Sequence, residues 1–100
     1  MDYEVVIKPI VIFDLEEVID YYNLKANLLG QRFYDQFLEA LTTIGLKPFT
    51  FSYLKEPIRR SKIPHFPYKM YYVVEYNLIT VLGIAHEKRS NTFIRRKLKN

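Results

Sequence analysis

His86, Arg89, Arg59 and Arg60 are the residues of this chain best suited to moving protons and holding phosphate at neutral pH. An imidazole titrates near neutrality without a large shift, and Arg89 follows His86 by three residues. Placed at a strand end beside Arg89 and across from Arg59 or Arg60, the ring could deprotonate a ribose 2′-hydroxyl. The arginines would stabilise the phosphorane-like charge, giving metal-free RNA cleavage. The other reading of His86 is a structural ring bonded to a backbone group, and the residue types leave both open. His65, beside Phe66-Pro67, reads as a turn residue.

More cations and rings surround these positions. Lys62 shares the basic segment, where strand alternation puts Arg60 and Lys62 on one face and Arg59 with Ser61 on the other. Lys88, Phe93, Arg95 and Arg96 follow the histidine, and Tyr68, Tyr71 and Tyr72 lie in the preceding apolar segment. Cations hold phosphate while rings stack bases, so Lys62, Tyr68, Lys88, Phe93, Arg95 and Arg96 are candidate binding residues. Tyrosines of a small sheet also serve as core or edge packing.

Other chemistries are poorly provided for. The chain has no cysteine, which removes disulfides and thiolate metal sites, and only two histidines. It contains no phosphate-binding glycine loop, no HExxH, no calcium loop and no serine elbow. Glu16, Glu17 and Asp20 read as a solvated helix face. No metal and no cofactor is expected.

Charge is divided unevenly. The net +4 conceals five basic against nine acidic side chains in residues 1–57, a balance of −4. Residues 58–100 carry ten basic side chains against Glu75 and Glu87, a balance of +8. Such polarity points to an acidic partner, either nucleic acid or an acidic protein segment; an unevenly charged surface is the plainer reading.

The elements that must position these residues follow from periodicity. Tyr3 to Lys8 is apolar and β-branched, a first strand, and Pro9 suits the start of a helix with Lys8 as a poor cap. Val11, Leu15, Val18, Ile19 and Tyr22 form one helical face, with Asp14 toward the other side. Ile10 and Phe13 fall off it, as partner contacts or as local packing. A second helix from about Leu28 to Ile44 carries Leu29, Phe33, Phe37, Ala40, Leu41 and Ile44, and Gly45 is its expected stop. Phe33 and Phe37 read as core.

Residues 48–57 read as a loop. Ile58 to Ile63, Tyr68 to Glu75 and Leu78 to His86 follow as strands, with Tyr76-Asn77 a turn in which Asn takes the positive φ. A basic tail begins at about Ser90. The expected fold class is α+β: strand–helix–helix–three strands, an antiparallel helical hairpin on a small, largely antiparallel sheet, one domain over residues 1–100. A core of this size should be marginal alone. No leader follows Met1 and no apolar run approaches a membrane span, so a cytoplasmic protein is expected.

Ile7-Lys8-Pro9, Asp14-Leu15-Glu16-Glu17-Val18-Ile19-Asp20-Tyr21-Tyr22 and Gly30-Gln31-Arg32-Phe33 together resemble the helical hairpin of the RelE/ParE toxin superfamily. So do Ile58-Arg59-Arg60 and Phe66-Pro67-Tyr68-Lys69-Met70-Tyr71-Tyr72. Val81-Leu82-Gly83-Ile84-Ala85-His86, with Arg89 beyond, looks like that family's last strand and His-x-x-Arg signature, without the Asp-Pro that commonly follows. The resemblance implies the toxin of a bacterial toxin–antitoxin pair, of the ParE-like or plasmid-stabilisation branch. It implies neutralisation by a cognate antitoxin through an acidic or amphipathic segment, with Ile10 and Phe13 as candidate contacts. The implied target is DNA gyrase, or the ribosome and its mRNA in the RelE-like alternative with His86, Arg59, Arg60 and Arg89 catalytic. A degenerate member that only binds a partner is a third reading. A homodimer or a toxin–antitoxin hetero-oligomer is the expected assembly.

Overall fold

A computed structural model describes residues 3–99, so that Met1, Asp2 and Asn100 of the expected 1–100 domain lie outside the described residues. β1 (Glu4–Ile7) runs directly into α1 (Pro9–Lys25). Pro9 sits in the first turn, where its missing N–H leaves no bond unmade. Lys8 is the cap and makes no side-chain cap bond, as its lack of an acceptor dictates.

Three residues connect α1 to α2 (Leu29–Leu46), and Leu28 takes a left-handed φ of 64° among them. The turn closes on Gly30, whose N–H donates to Asn23 Oδ1 at 2.8 Å. A Cβ on Gly30 would lie 2.6 Å from that same oxygen and against the Ile19 carbonyl. The hairpin therefore needs glycine where the helices approach. Gly45, the expected stop, lies inside α2 instead; the helix runs on to Leu46 and ends at Lys47, before Pro48.

Segment 48–57 is not all loop. It contains a short edge strand, β2 (Tyr53–Lys55), which pairs with β3 (Ile58–Ile63). β4 (Tyr68–Glu75) and β5 (Leu78–His86) follow, and the sheet order is β1-β5-β4-β3-β2. Among the described residues only the β1–β5 pair is parallel. In the β4–β5 turn Tyr76, not Asn77, carries the positive φ, at 57°. The basic tail is also not a simple tail: α3 (Asn91–Lys97) forms there, capped by Ser90 Oγ accepting from the Phe93 N–H at 3.1 Å. The fold is α+β, as expected, with one more strand and one more helix.

Strand alternation divides the core. Val11, Leu15, Phe33, Phe37 and Ile44 of the hairpin pack on Ile63, Met70, Tyr72, Ile79, Val81 and Ile84. On the far face Tyr71 and Ala85 pack with Ile94 and Leu98 of the C-terminal segment. Leu98 occupies the space over Gly83, where a Cβ would stand 2.7 Å from its Cδ2. No helix among the described residues is long and apolar enough to cross a membrane.

Candidate functional site

Cross-strand register decides which of the candidate residues meet. Tyr68 at the start of β4 is directly opposite His86 at the end of β5. Their rings pack edge to face, with centroids 5.2 Å apart. The chain then turns tightly, the Arg89 N–H donating to the His86 carbonyl at 3.0 Å. This places the Arg89 guanidinium over the Phe93 ring, 4.5 Å from its centroid. Tyr68, His86, Arg89 and Phe93 thus gather at one end of the sheet.

The imidazole is oriented by its own turn. The Lys88 backbone N–H donates to His86 Nδ1 at 3.1 Å. A lone pair at Nδ1 is thereby engaged, which puts the proton of the neutral ring on Nε2 and makes Nε2 a donor. Burial raises the Tyr68 phenol above its ordinary pKa, as does the Tyr21 hydroxyl, while the Arg89 charge pulls the other way. The Tyr22 phenol is likewise raised, by burial first and then by Tyr68 and Tyr21.

Two hollows meet at Tyr68 and His86. One, of about 180 Å³, lies between Asp14 and Glu17 of α1 and Arg89, Phe93 and Lys97 around α3. The other, of about 340 Å³, is walled by Tyr21, Tyr22 and Lys25 of α1 and by Pro67. Lys97 Nζ closes the first by reaching Asp14 Oδ2 at 2.7 Å. The contact is Coulombic: the ammonium is close to Oδ2 but off hydrogen-bond geometry, leaving that oxygen without a formal donor.

The remaining candidates lie elsewhere. Arg59 and Arg60 are opposite Tyr72 and Tyr71, while the row containing His86 runs through Tyr68 to Ile63. With β4 in between, that is roughly 10 Å across the sheet and roughly 10 Å along it. The sequence expectation of arginines across from His86 is not what the register produces. Arg59 is bound to its own edge of the sheet instead. Its Nη1 donates to the Phe51 carbonyl at 2.7 Å, its Nη2 to Tyr53 Oη at 2.9 Å, and its Cζ lies 4.1 Å from the Tyr53 ring centroid.

Arg60 and Lys62 do share a face, as alternation requires, and Lys62 is directly opposite Lys69. Lys62 Nζ donates to the Phe66 carbonyl at 2.6 Å and lies 4.0 Å from Glu87 Oε2. Lys88 is exposed on the turn after β5; Arg95 and Arg96 are exposed on α3, beside Thr92 and Lys99. Ile10 and Phe13 project from α1, 46% and 66% exposed. Sequence reasoning missed Asp14, Glu17, Lys97, Tyr21 and Tyr22 as lining residues. A signal for Asp14 was present: three residues after Val11 and four before Val18, it borders the apolar stripe rather than opposing it.

No protein-family description and no curated protein sequence matches the chain; its likeness to known proteins is one of structure. The chromosomal ParDE TA system of P. aeruginosa superposes with a TM-score of 0.74 at 15% identity, over 84% of this chain and 95% of that one. The E. coli toxin RelE, as a double arginine-to-alanine mutant in the free state, superposes with a TM-score of 0.70 at 14% identity, over 96% and 98%. The archaeal RelE-RelB complex of Pyrococcus horikoshii OT3 gives 0.61 at 20% identity, over 90% and 100%. This chain has the fold of the RelE/ParE toxins.

Proposed function

We propose that a chain with this fold is the toxin of a toxin–antitoxin pair, a ParE-like growth inhibitor acting in the cytoplasm by binding its target. A cognate antitoxin neutralises it. The observation that carries this reading is the shared fold, which spans nearly the whole of each similar toxin as well as of this chain. The site favours binding over cleavage. The Lys88 N–H on Nδ1 leaves Nε2 as the donor of the neutral ring, an arrangement that suits a general acid and not a general base. Arg59 turns both Nη atoms to Phe51 and Tyr53, which occupies the fork that would hold phosphate. DNA gyrase is the target this reading names, and plasmid stabilisation the role.

A second reading, mRNA cleavage on the ribosome, has one observation in its favour. Arg60, Lys62 and Lys69 share a sheet face, with two of them directly opposed and Glu87 4.0 Å from Lys62, an excess of positive charge that attracts a polyanion.

Induced expression of the chain alone separates these from mere binding. Growth arrest, relieved by the product of the neighbouring gene, is expected; normal growth would overturn toxicity. In extracts, lost gyrase supercoiling with intact mRNA supports the first reading. Cleaved mRNA with 2′,3′-cyclic phosphate ends supports the second and overturns the first.

A further inference from the structure

The 340 Å³ hollow between α1 and the ends of β4 and β5 is not used by any step above. Four of its seven lining residues carry aromatic rings: Tyr21, Tyr22, Tyr68 and His86. They already stand edge to face, at 5.3 Å for Tyr21–Tyr22, 6.3 Å for Tyr22–Tyr68 and 5.2 Å for Tyr68–His86. Rings so arranged present edges and faces that suit one more ring. The volume is at the lower end of the ~300–1,000 Å³ of ligand pockets, which fits one side chain rather than a large cofactor.

Charge at the rim indicates what brings that side chain. Lys25 Nζ stands 5.1 Å over the Tyr21 ring, and Arg89 is stacked on Phe93. Neither has a carboxylate within ion-pair distance among the described residues, whereas Lys97 and Asp14 are already committed to each other. His86 Nε2 adds a donor at the junction of the two hollows. Arg89 and the opposing Glu17 both line the smaller, adjoining hollow, and Lys25 is the formal charge on the larger one itself. Beside the pocket, exposed apolar residues stand on α1 in two pairs, Ile10 with Phe13 and Tyr21 with Leu24, at 46%, 66%, 50% and 89% exposure, with the exposed Glu17 between the pairs. That spacing follows one helical face, and exposed apolar patches of this kind mark contacts.

We infer that the hollow takes an aromatic side chain from an acidic peptide segment. Carboxylates flanking that side chain meet Lys25 and Arg89, and the peptide's apolar residues continue along the exposed apolar pairs of α1. The inference deepens the antitoxin reading and rests on it only for the origin of the peptide.

The chain contains no tryptophan, so an indole on a probe peptide is a clean reporter. The probe is the acetylated, amidated pentapeptide Asp-Glu-Trp-Glu-Asp, titrated to millimolar concentration into the ¹⁵N-labelled full chain. Expected are a blue shift of indole emission and amide shifts centred on Tyr21, Lys25, Tyr68 and His86. Replacing the probe's Trp by Ala should weaken binding about tenfold or more, as removal of an anchoring ring does. Lys25→Glu should weaken it several-fold and Glu17→Gln strengthen it, both with unchanged melting temperature. Equal binding of the alanine peptide, or shifts centred on Arg60, Lys62 and Lys69, would overturn the inference, as would no shift at all. Growth arrest by a chain that binds no probe overturns this pocket and keeps the toxin reading; binding by a harmless chain does the reverse.

Discussion

Lys97 Nζ meets Asp14 Oδ2 at 2.7 Å, tying the basic C-terminal helix to the acidic N-terminal one. The pair is only partly exposed, at 28% and 16% of the two side chains. It closes one wall of the cleft that holds Tyr68, His86 and Arg89. Surface pairs contribute ~0–1 kcal/mol, and breaking a buried one costs ~3–5 kcal/mol. Lys97→Met should therefore cost about 1–2 kcal/mol in urea titrations. Amide exchange over residues 91–97 should accelerate, and adding Asp14→Asn should recover part of the loss, because the stranded carboxylate is then gone. Unchanged exchange would mean that the apolar contacts of Ile94 and Leu98 hold α3 alone.

At Gly30 the second helix lies directly against the first. A methyl group there meets the Ile19 carbonyl and the Asn23 side chain, and a backbone atom cannot turn aside. Gly30→Ala should lower stability by about 1–3 kcal/mol, the range for an overpacked site. Gly45→Ala is the control: its Cβ would meet only Val5 Cγ2, at an ordinary 3.7 Å. A helix-favouring methyl there should be neutral or slightly stabilising.

Tyr72 makes stability fall in alkali. Its ring is fully buried, its hydroxyl donates to the Pro48 carbonyl at 2.7 Å, and burial pushes the phenol from 10.0 to about 12 against the opposing pull of Arg59. The unfolded phenol ionises near 10 while the folded one keeps its proton, so this contribution is whole below pH 10 and is lost as pH rises through 12. The loss amounts to roughly 3 kcal/mol for a shift of that size. Tyr72→Phe should flatten the decline in melting temperature over that window. A decline equally steep in the variant would assign it to other groups.

Arg59→Ala should act on stability. The guanidinium holds the Phe51 carbonyl and the Tyr53 hydroxyl and stacks on the Tyr53 ring. The expected loss is about 2 kcal/mol, given ~1.5–3 kcal/mol for hydrogen bonds to a charged group. Arg59→Lys should restore little, since an ammonium cannot reproduce the planar fork. A variant with wild-type stability and no biological activity would instead make Arg59 part of the working surface.

Much of this architecture was legible in the chain. Val11, Leu15, Phe33, Phe37 and Ile44 recur at helical spacing and all are buried, because a stripe of apolar groups on a helix has one way to leave water. The strands Ile58–Ile63 and Tyr68–Glu75 fall where period-two patterning puts them, and Leu78–His86 falls where a run apolar on both faces does. β2 was hidden for a physical reason. Three residues are too few to show alternation, and the strand exists because β3 offers an unpaired edge. α3 was hidden by its composition: Arg95, Arg96 and Lys97 read as solvated charge, while Ile94 and Leu98, four apart, are the only signal of a buried face.

The candidate site was half legible. The sequence by itself determined the residue types: a histidine at the end of a strand, an arginine three residues on, tyrosines before it, and a chain divided into acidic and basic halves. It also determined the helical hairpin and the sheet segments, since local periodicity and turn chemistry need no knowledge of distant residues. Only the tertiary structure decided who meets whom. Cross-strand register set Tyr68 against His86 and Arg59 against Tyr72. Packing of the hairpin on the sheet brought Asp14, Glu17, Tyr21 and Lys25 to the same end. Register and packing are long-range relations fixed by burial of two separate faces, and no window of neighbouring residues contains them.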